Sequence, residues 1–223
     1  MNTENKGILV VVSGFSGSGK GTVMNGLMKT YGRDYALSVS ATTREPRPGE
    51  KHGVHYFFAS IKDFEAMIAK DELVEYAKYV NNYYGTPRKY VEEQLQAGKN
   101  VILEIEIQGA LKIKEKFPNT VLMFVTTPNS TILKDRLVGR GTESQDVIDA
   151  RLSRAYEESL GIEEYDYLVI NDDLTACVNC VNEIITNERN GHKEKNEAHR
   201  ISANIDLINN MRKELLSFSK GEQ

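Results

Sequence analysis

The sequence predicts an α/β fold whose core is a parallel sheet, and three observations lead to it. Short apolar runs rich in Val and Ile occupy residues 8–12, 101–105, 121–125 and 167–170, without the alternation of a half-exposed strand. Such runs suit strands buried on both faces. Helical patterns lie between them, and strand followed by helix implies crossover connections. Finally, a glycine-rich segment at residues 14–21 joins the first run to the first helical pattern.

Taken in order, Val23, Leu27 and Tyr31, with Met24 and Met28, mark a helix after the opening glycines. A weaker strand candidate follows around residues 37–41. Residues 42–95 then break the rhythm: Pro46, Pro48, Gly49 and Gly53 forbid a long helix, and the stretch reads as a small mixed α+β insertion. Within it, Ser60 and Asp63 form a capping signature ahead of Phe64, Met67 and Ile68. Thr86-Pro87 predicts a helix start with proline at the first helical position, and Gly98 its end. Ala110, Leu111 and Lys114 predict another helix, and Pro128-Asn129 opens one through Ile132, Leu133 and Leu137. Gly139 to Thr142 forms a second insertion, with Thr142 and Gln145 as a T-x-x-Q cap. Cys177 and Cys180 fall in an apolar-periodic stretch with Val178, Val181, Ile184 and Ile185, and read as ordinary helix cysteines. Beyond Arg189 a polar stretch leads to Ile201, Ile205, Ile208, Met211 or Arg212, and Leu215 at helical spacing. That helix either packs on its own domain or frays, or it contacts a second copy of the chain.

With 223 residues, the chain is long enough to bury a substantial core. Hydrophobic residues at 40% and charged residues at 27% sit near globular averages, which excludes wholesale disorder. A net charge of -4 argues against general nucleic-acid binding, which needs a basic surface. The apolar run at the N-terminus is too short for a signal or a membrane span, and no other stretch approaches one. The expected setting is cytoplasmic, with no nucleic-acid or membrane partner.

The chemistry begins at Gly14-Phe15-Ser16-Gly17-Ser18-Gly19-Lys20-Gly21-Thr22, after a buried strand and before an amphipathic helix. That context is the one a phosphate-binding loop, or P-loop, requires. Glycines let successive backbone N–H groups point inward, and the helix N-terminus adds partial positive charge. Lys20 would reach the β- and γ-phosphates of a nucleotide. Gly21 stands where the usual pattern has Ser or Thr, and the hydroxyl comes one residue later, at Thr22. A second cluster holds Arg44 and Arg47 among prolines, then Tyr56, Glu75, Tyr84 and Thr86. Guanidinium forks match a phosphate dianion, tyrosine hydroxyls add neutral donors, and a lone carboxylate can accept paired N–H bonds from a base.

The motifs arrive as an ordered set: the phosphate loop, S-x-S-x-T-T-R-x-P-R-x-G-E at 38–50, G-x-x-Y-x-F at 53–58, N-Y-Y-G-T at 82–86, L-E-I-E-x-Q-G at 103–109, G-R-G-T-E at 139–143 and V-I-N-D-D at 169–173. Over about residues 7–189 the chain resembles the guanylate kinases. The resemblance implies a P-loop core at 7–41, a GMP-binding insertion at 42–95, core again at 96–138, a helical lid at 139–153, core at 154–189 and a charged, helical extension at 190–223. It implies ATP binding by Gly14, Ser16, Gly17, Ser18, Gly19, Lys20, Gly21, Thr22, Arg136, Arg140 and Asn171. It implies GMP binding by Ser40, Arg44, Arg47, Tyr56, Glu75, Tyr84, Thr86 and Glu106, with Ser40, Glu75 and Thr86 reading guanine. Lys20, Arg44, Arg140 and Arg151 are the catalytic set it implies. Mg2+ would come with ATP, held by phosphates and water, with Thr22 or Glu104 as candidate protein oxygens. Glu106 stands where the family usually has Asp, Thr86 replaces the commoner Ser, and the tail beyond about residue 190 has no counterpart in short forms.

The implied reaction moves the ATP γ-phosphoryl group in line onto GMP, with Lys and Arg stabilising its charge. The GMP phosphate is already an anion and needs no strong base, which agrees with the absence of a Ser-His or Cys-His pair. Competing readings are another small-molecule or nucleotide kinase on the same core, which Glu75 and the tyrosines argue against, and a peptide-binding scaffold, which typically loses the phosphate loop kept here. A GTP switch is disfavoured by the lack of D-x-x-G and N-K-x-D.

Overall fold

A computed structural model describes residues 6–79, 81–139 and 144–219. The chain divides into two compact units: Met1–Val10 with Arg33–Thr120, and Val11–Gly32 with Val121–Gln223. The first strand, β1 (Leu9–Gly14), begins in unit 1 and ends in unit 2.

Unit 1 has two sheets. In one, β2 (Tyr35–Leu37) pairs in parallel with β7 (Asn100–Glu104), Tyr35 opposite Asn100, and the strand order is β2-β7-β1. The other contains β3 (Ala41–Thr42), β4 (Phe57–Phe58), β5 (Leu73–Tyr79) and β6 (Asn82–Pro87), in the order β4-β3-β6-β5. It buries Ala41, Leu73 and Phe64, whose ring stacks on Tyr83 at 5.2 Å. Helices α2 (Ile61–Ala69), α3 (Arg88–Gln96) and α4 (Ile107–Lys116) complete the unit. The expected Ser60 cap is present, its Oγ accepting from Asp63 N at 3.1 Å.

Two local expectations are corrected here. The weak strand around 37–41 is two strands in different sheets: Ser38 N still donates to Ile102 O, after which the chain leaves for β3. Pro87 precedes α3 rather than opening it. It still faces Leu73 in the β5–β6 ladder, with ψ 121°, and Arg88 N, at the first residue of α3, donates to Glu72 O.

In unit 2, β8 (Val121–Thr126) and β9 (Tyr167–Ile170) run in parallel, in the order β1-β8-β9, and every residue of β8 is buried. Around them lie α1 (Lys20–Tyr31), α5 (Ser130–Val138), α6 (Gln145–Ser159), α7 (Leu174–Arg189) and α8 (Ile205–Ser219). Thr142 lies outside the described residues, and α6 starts at Gln145, whose side chain donates to Asp149 rather than capping. Ile148, Leu152, Ala155 and Ser159 form one buried face along α6. Among the described residues, no helix is long and apolar enough to cross a membrane.

The C-terminal extension packs within unit 2. Two 3-10 turns, Lys193–His199 and Ile201–Asn204, lead into α8, and Ile201, Ile208, Met211 and Leu215 are buried. Cys177 and Cys180 are free thiols on α7; burial pushes them up to about 12 and about 11, as suits structural cysteines and not a redox pair. His52 and His55 are exposed, as expected, yet each Nδ1 accepts a backbone bond, from Phe58 N and Lys51 N, within the first insertion.

Candidate functional site

In unit 2 the phosphate loop turns between β1 and α1. Gly17 and Gly19 adopt φ of 93° and 83°, in the left-handed region where a side chain is strained. Space also excludes one at Gly19, where a Cβ would lie 2.4 Å from Asn171 Nδ2. Phe15 anchors the loop from beneath, edge-on to Phe124 at 4.9 Å. Lys20 is the first residue of α1, half-buried, and the first turn of that helix carries no acidic residue. Its amino end therefore presents N–H groups and positive dipole unopposed by its own side chains.

Three distant side chains converge on this loop. Arg136, from α5, donates to Ser18 O at 3.2 Å and to Asn171 O at 2.9 Å. Asn171, just after β9 and buried, donates to the same Ser18 carbonyl at 2.8 Å. Arg151, from α6, donates to Ser16 Oγ at 2.5 Å. Among the described residues, Ser18 Oγ is fully buried without a hydrogen-bond partner. Gly21 and Thr22 are exposed on the first turn of α1, and among the described residues nothing lies within 4 Å of a Cβ built at Gly21. Arg140 lies outside the described residues.

Unit 1 gathers the second cluster. Both oxygens of Glu50 accept from Arg44 Nη2 at 2.9 Å, and the Arg44 guanidinium lies 5.3 Å over the Tyr56 ring, which itself meets Tyr84 at 6.2 Å. Arg47 N donates to Glu50 Oε2 at 2.8 Å while the Arg47 side chain stays exposed. That backbone bond and the Arg44 guanidinium hold the Glu50 carboxyl below its usual value. Glu50 is a residue sequence reasoning missed: it was quoted in a motif without a role. An acidic residue six places after Arg44, behind the Gly49 turn, was the available signal. Thr42 was missed as well; its buried Oγ1 accepts from Arg44 N and donates to Tyr83 O.

Glu75 and Thr86 face each other across β5 and β6, where the register shifts between Leu73 and Tyr76. The buried Thr86 Oγ1 donates to Glu75 Oε1 at 2.8 Å. Desolvation raises the Glu75 carboxyl above its ordinary value, although the Thr86 bond and nearby Lys112 pull the other way. Gly109 of α4 comes close, a Cβ there lying 3.7 Å from Glu75 Oε2. A cleft of about 270 Å³ opens beside Glu75, walled also by Tyr76, Lys112 and Lys116. Ser40 is half-buried, its carbonyl accepting from Phe57 N. Glu104 ends β7 and Glu106 is exposed just before α4, without a side-chain cap bond.

The chain is similar to known proteins. A family model described as guanylate kinase matches residues 6–188. A guanylate kinase of Latilactobacillus sakei is 48% identical over 185 residues, covering 83% of this chain and 91% of the relative. One of Halalkalibacterium halodurans is 51% identical over 185 residues, covering 83% and 90%. The crystal structure of guanylate kinase from Anaplasma phagocytophilum is similar with a TM-score of 0.65 at 31% identity, covering 83% of this chain and 87% of that one. The chain belongs to the guanylate kinase family, whose members are phosphotransferases acting as nucleoside monophosphate kinases.

Proposed function

We propose that this chain transfers the γ-phosphoryl group of ATP to GMP, giving ADP and GDP. The observation that supports this best is the Glu75–Thr86 pair, a half-buried carboxylate with one oxygen satisfied by a buried hydroxyl. Guanine offers a ring N–H beside an exocyclic amine to such a carboxylate, and adenine offers no such pair. Arg44, Arg47, Tyr56 and Tyr84 would hold the GMP phosphate, with Arg44 exchanging Glu50 for it, while Ser40 and Thr86 join Glu75 on the base and Glu106 completes the GMP side. The loop glycines with Ser16, Ser18, Lys20 and Thr22 would cradle the ATP phosphates. Arg136 and Asn171 would line the ATP side, and Arg151, with Arg140, would meet the charge on the moving group. Mg2+ bound with ATP would neutralise phosphate charge. The hard oxygen of Thr22, exposed on the first turn of α1, suits such an ion, and Glu104 is a second candidate. The substrates and two free thiols fit a cytoplasmic setting.

A coupled assay of ADP release across GMP, AMP, CMP and UMP tests the reading. GMP should be strongly preferred, and AMP turned over as well as GMP would overturn it. The arginines should divide by kinetics. Arg44→Ala should mainly raise the KM for GMP, by about tenfold to a hundredfold, as expected for a charge-assisted phosphate contact. Arg151→Ala should instead lower kcat more than it raises either KM. Steady-state kinetics with the reverse pattern would refute these assignments.

A further inference from the structure

The elements that bring Arg136, Arg151 and Asn171 to the phosphate loop are all gripped by residues beyond the family match at 6–188. At the start of α5, Ser130 donates to Glu214 of α8 twice: from Oγ at 2.6 Å and from its backbone N at 3.2 Å. The Glu214 carboxylate thus satisfies an orphan N–H and sets negative charge at the positive end of the helix that carries Arg136. At the end of α6, Arg212 of α8 donates to Ser159 O at 2.8 Å and to Glu163 at 2.6 Å. That places a cation at the negative end of the helix that carries Arg151. Between these contacts Ile208, Met211 and Leu215 are buried, and Lys134 of α5 lies 4.8 Å over the Phe218 ring.

The third element, β9, is held by the turns before α8. Arg200 stacks over the Tyr167 ring at 4.7 Å, and Ile201 N donates to Asp166 O. Buried Asn196 donates to Ile184 O at 3.1 Å and reaches the Tyr167 hydroxyl, which donates to Glu188. Asn171 follows β9 directly and is tied to β8 through its N–H on Thr126 O.

We infer that the C-terminal extension is a positioning clamp for the ATP side of the site: Glu214 and Arg212 fix the far ends of α5 and α6 so that Arg136 and Arg151 meet the phosphate loop. This rests on the proposed assignment of that loop to ATP. Both residues act through the helices they hold. Their charges oppose the two helix dipoles, so each contact sets where a helix end sits as well as stabilising it. The clamp lies wholly in unit 2, which predicts an effect on one substrate and not the other.

The test is calorimetric titration of the full chain with ATP and, separately, with GMP, together with the thermal midpoint. Glu214→Ala, which acts through Arg136, should raise the Kd for ATP by about five- to twentyfold with the Kd for GMP held within about twofold, whereas Arg212→Ala, which acts through Arg151, should lower kcat in steady-state kinetics by about five- to twentyfold. Glu214→Gln keeps the shape and an acceptor oxygen but loses the charge, so it should fall between wild type and Glu214→Ala; it also carries the test should the alanine variants fail to fold. An ATP Kd within about twofold of wild type in the folded Glu214 variants, or a kcat within about twofold in folded Arg212→Ala, whatever the melting temperature does, would overturn the clamp. Equal weakening of ATP and GMP would overturn it too, leaving general destabilisation. Wild-type protein that binds no ATP would instead bring down the loop assignment itself.

Discussion

Lys20→Ala is expected to lower turnover by about two to four orders of magnitude while leaving the chain folded. The lysine stands at the first position of α1, directly after the two left-handed glycines, where its ammonium would oppose charge developing between the β- and γ-phosphates. Such charge is stabilised most strongly by groups already in place, because no reorganisation is needed as the phosphoryl group moves. The fold should not suffer. Alanine is the best helix former, and the loop is anchored by Phe15 against Phe124 rather than by the lysine. Circular dichroism and the thermal midpoint would establish that the variant is folded, and single-turnover kinetics would then read the chemical step. A folded variant keeping more than about a tenth of wild-type turnover would remove Lys20 from the mechanism.

Glu75→Gln should cost about three orders of magnitude or more in kcat/KM for GMP, because a site built to pair polar groups strongly rejects a mismatch. The Thr86 hydroxyl donates to Oε1, so the glutamine oxygen would keep that bond and turn its amide donors toward the base. Donors would then face the guanine N–H groups, a repulsive contact added to a lost attractive one. ATP affinity should stay within about twofold, because the residues proposed to bind ATP belong to unit 2. Parallel loss of ATP affinity would point to misfolding.

A pH dependence follows from the same carboxyl. Desolvation raises the Glu75 value in the folded chain above its unfolded one, so folding takes up a proton between the two, and the ionised form weighs against stability above them. The proposed contact of Glu75 with the base needs the ionised form. GMP affinity should therefore weaken as pH falls through the raised value, earlier than for an exposed glutamate, and the dependence should vanish in Glu75→Gln. Titrating GMP affinity against pH in both proteins checks it.

What could be read from the sequence was local. The buried strands, the phosphate loop, the Ser60 cap and the helix of Cys177 and Cys180 each depend on side-chain period, on glycine freedom or on a hydroxyl three residues from its partner. Those determinants lie within a few residues of one another, so the chain order displays them. The family's motifs extend that legibility to candidate residues one at a time, though not to their contacts. Only the tertiary structure decided that Glu50 holds Arg44, because the Gly49 turn folds the chain back on itself. It alone placed Glu75 opposite Thr86, which depends on a register shift within β5 that composition does not reveal. Arg136 and Asn171 reach Ser18 across 118 and 153 residues of chain, and Glu214 reaches Ser130 across 84. Contacts of that range exist only after the sheet and helices have packed and the entropy of loop closure has been overcome. The sequence therefore determined which elements form and which residues could act, while packing decided which side chains meet.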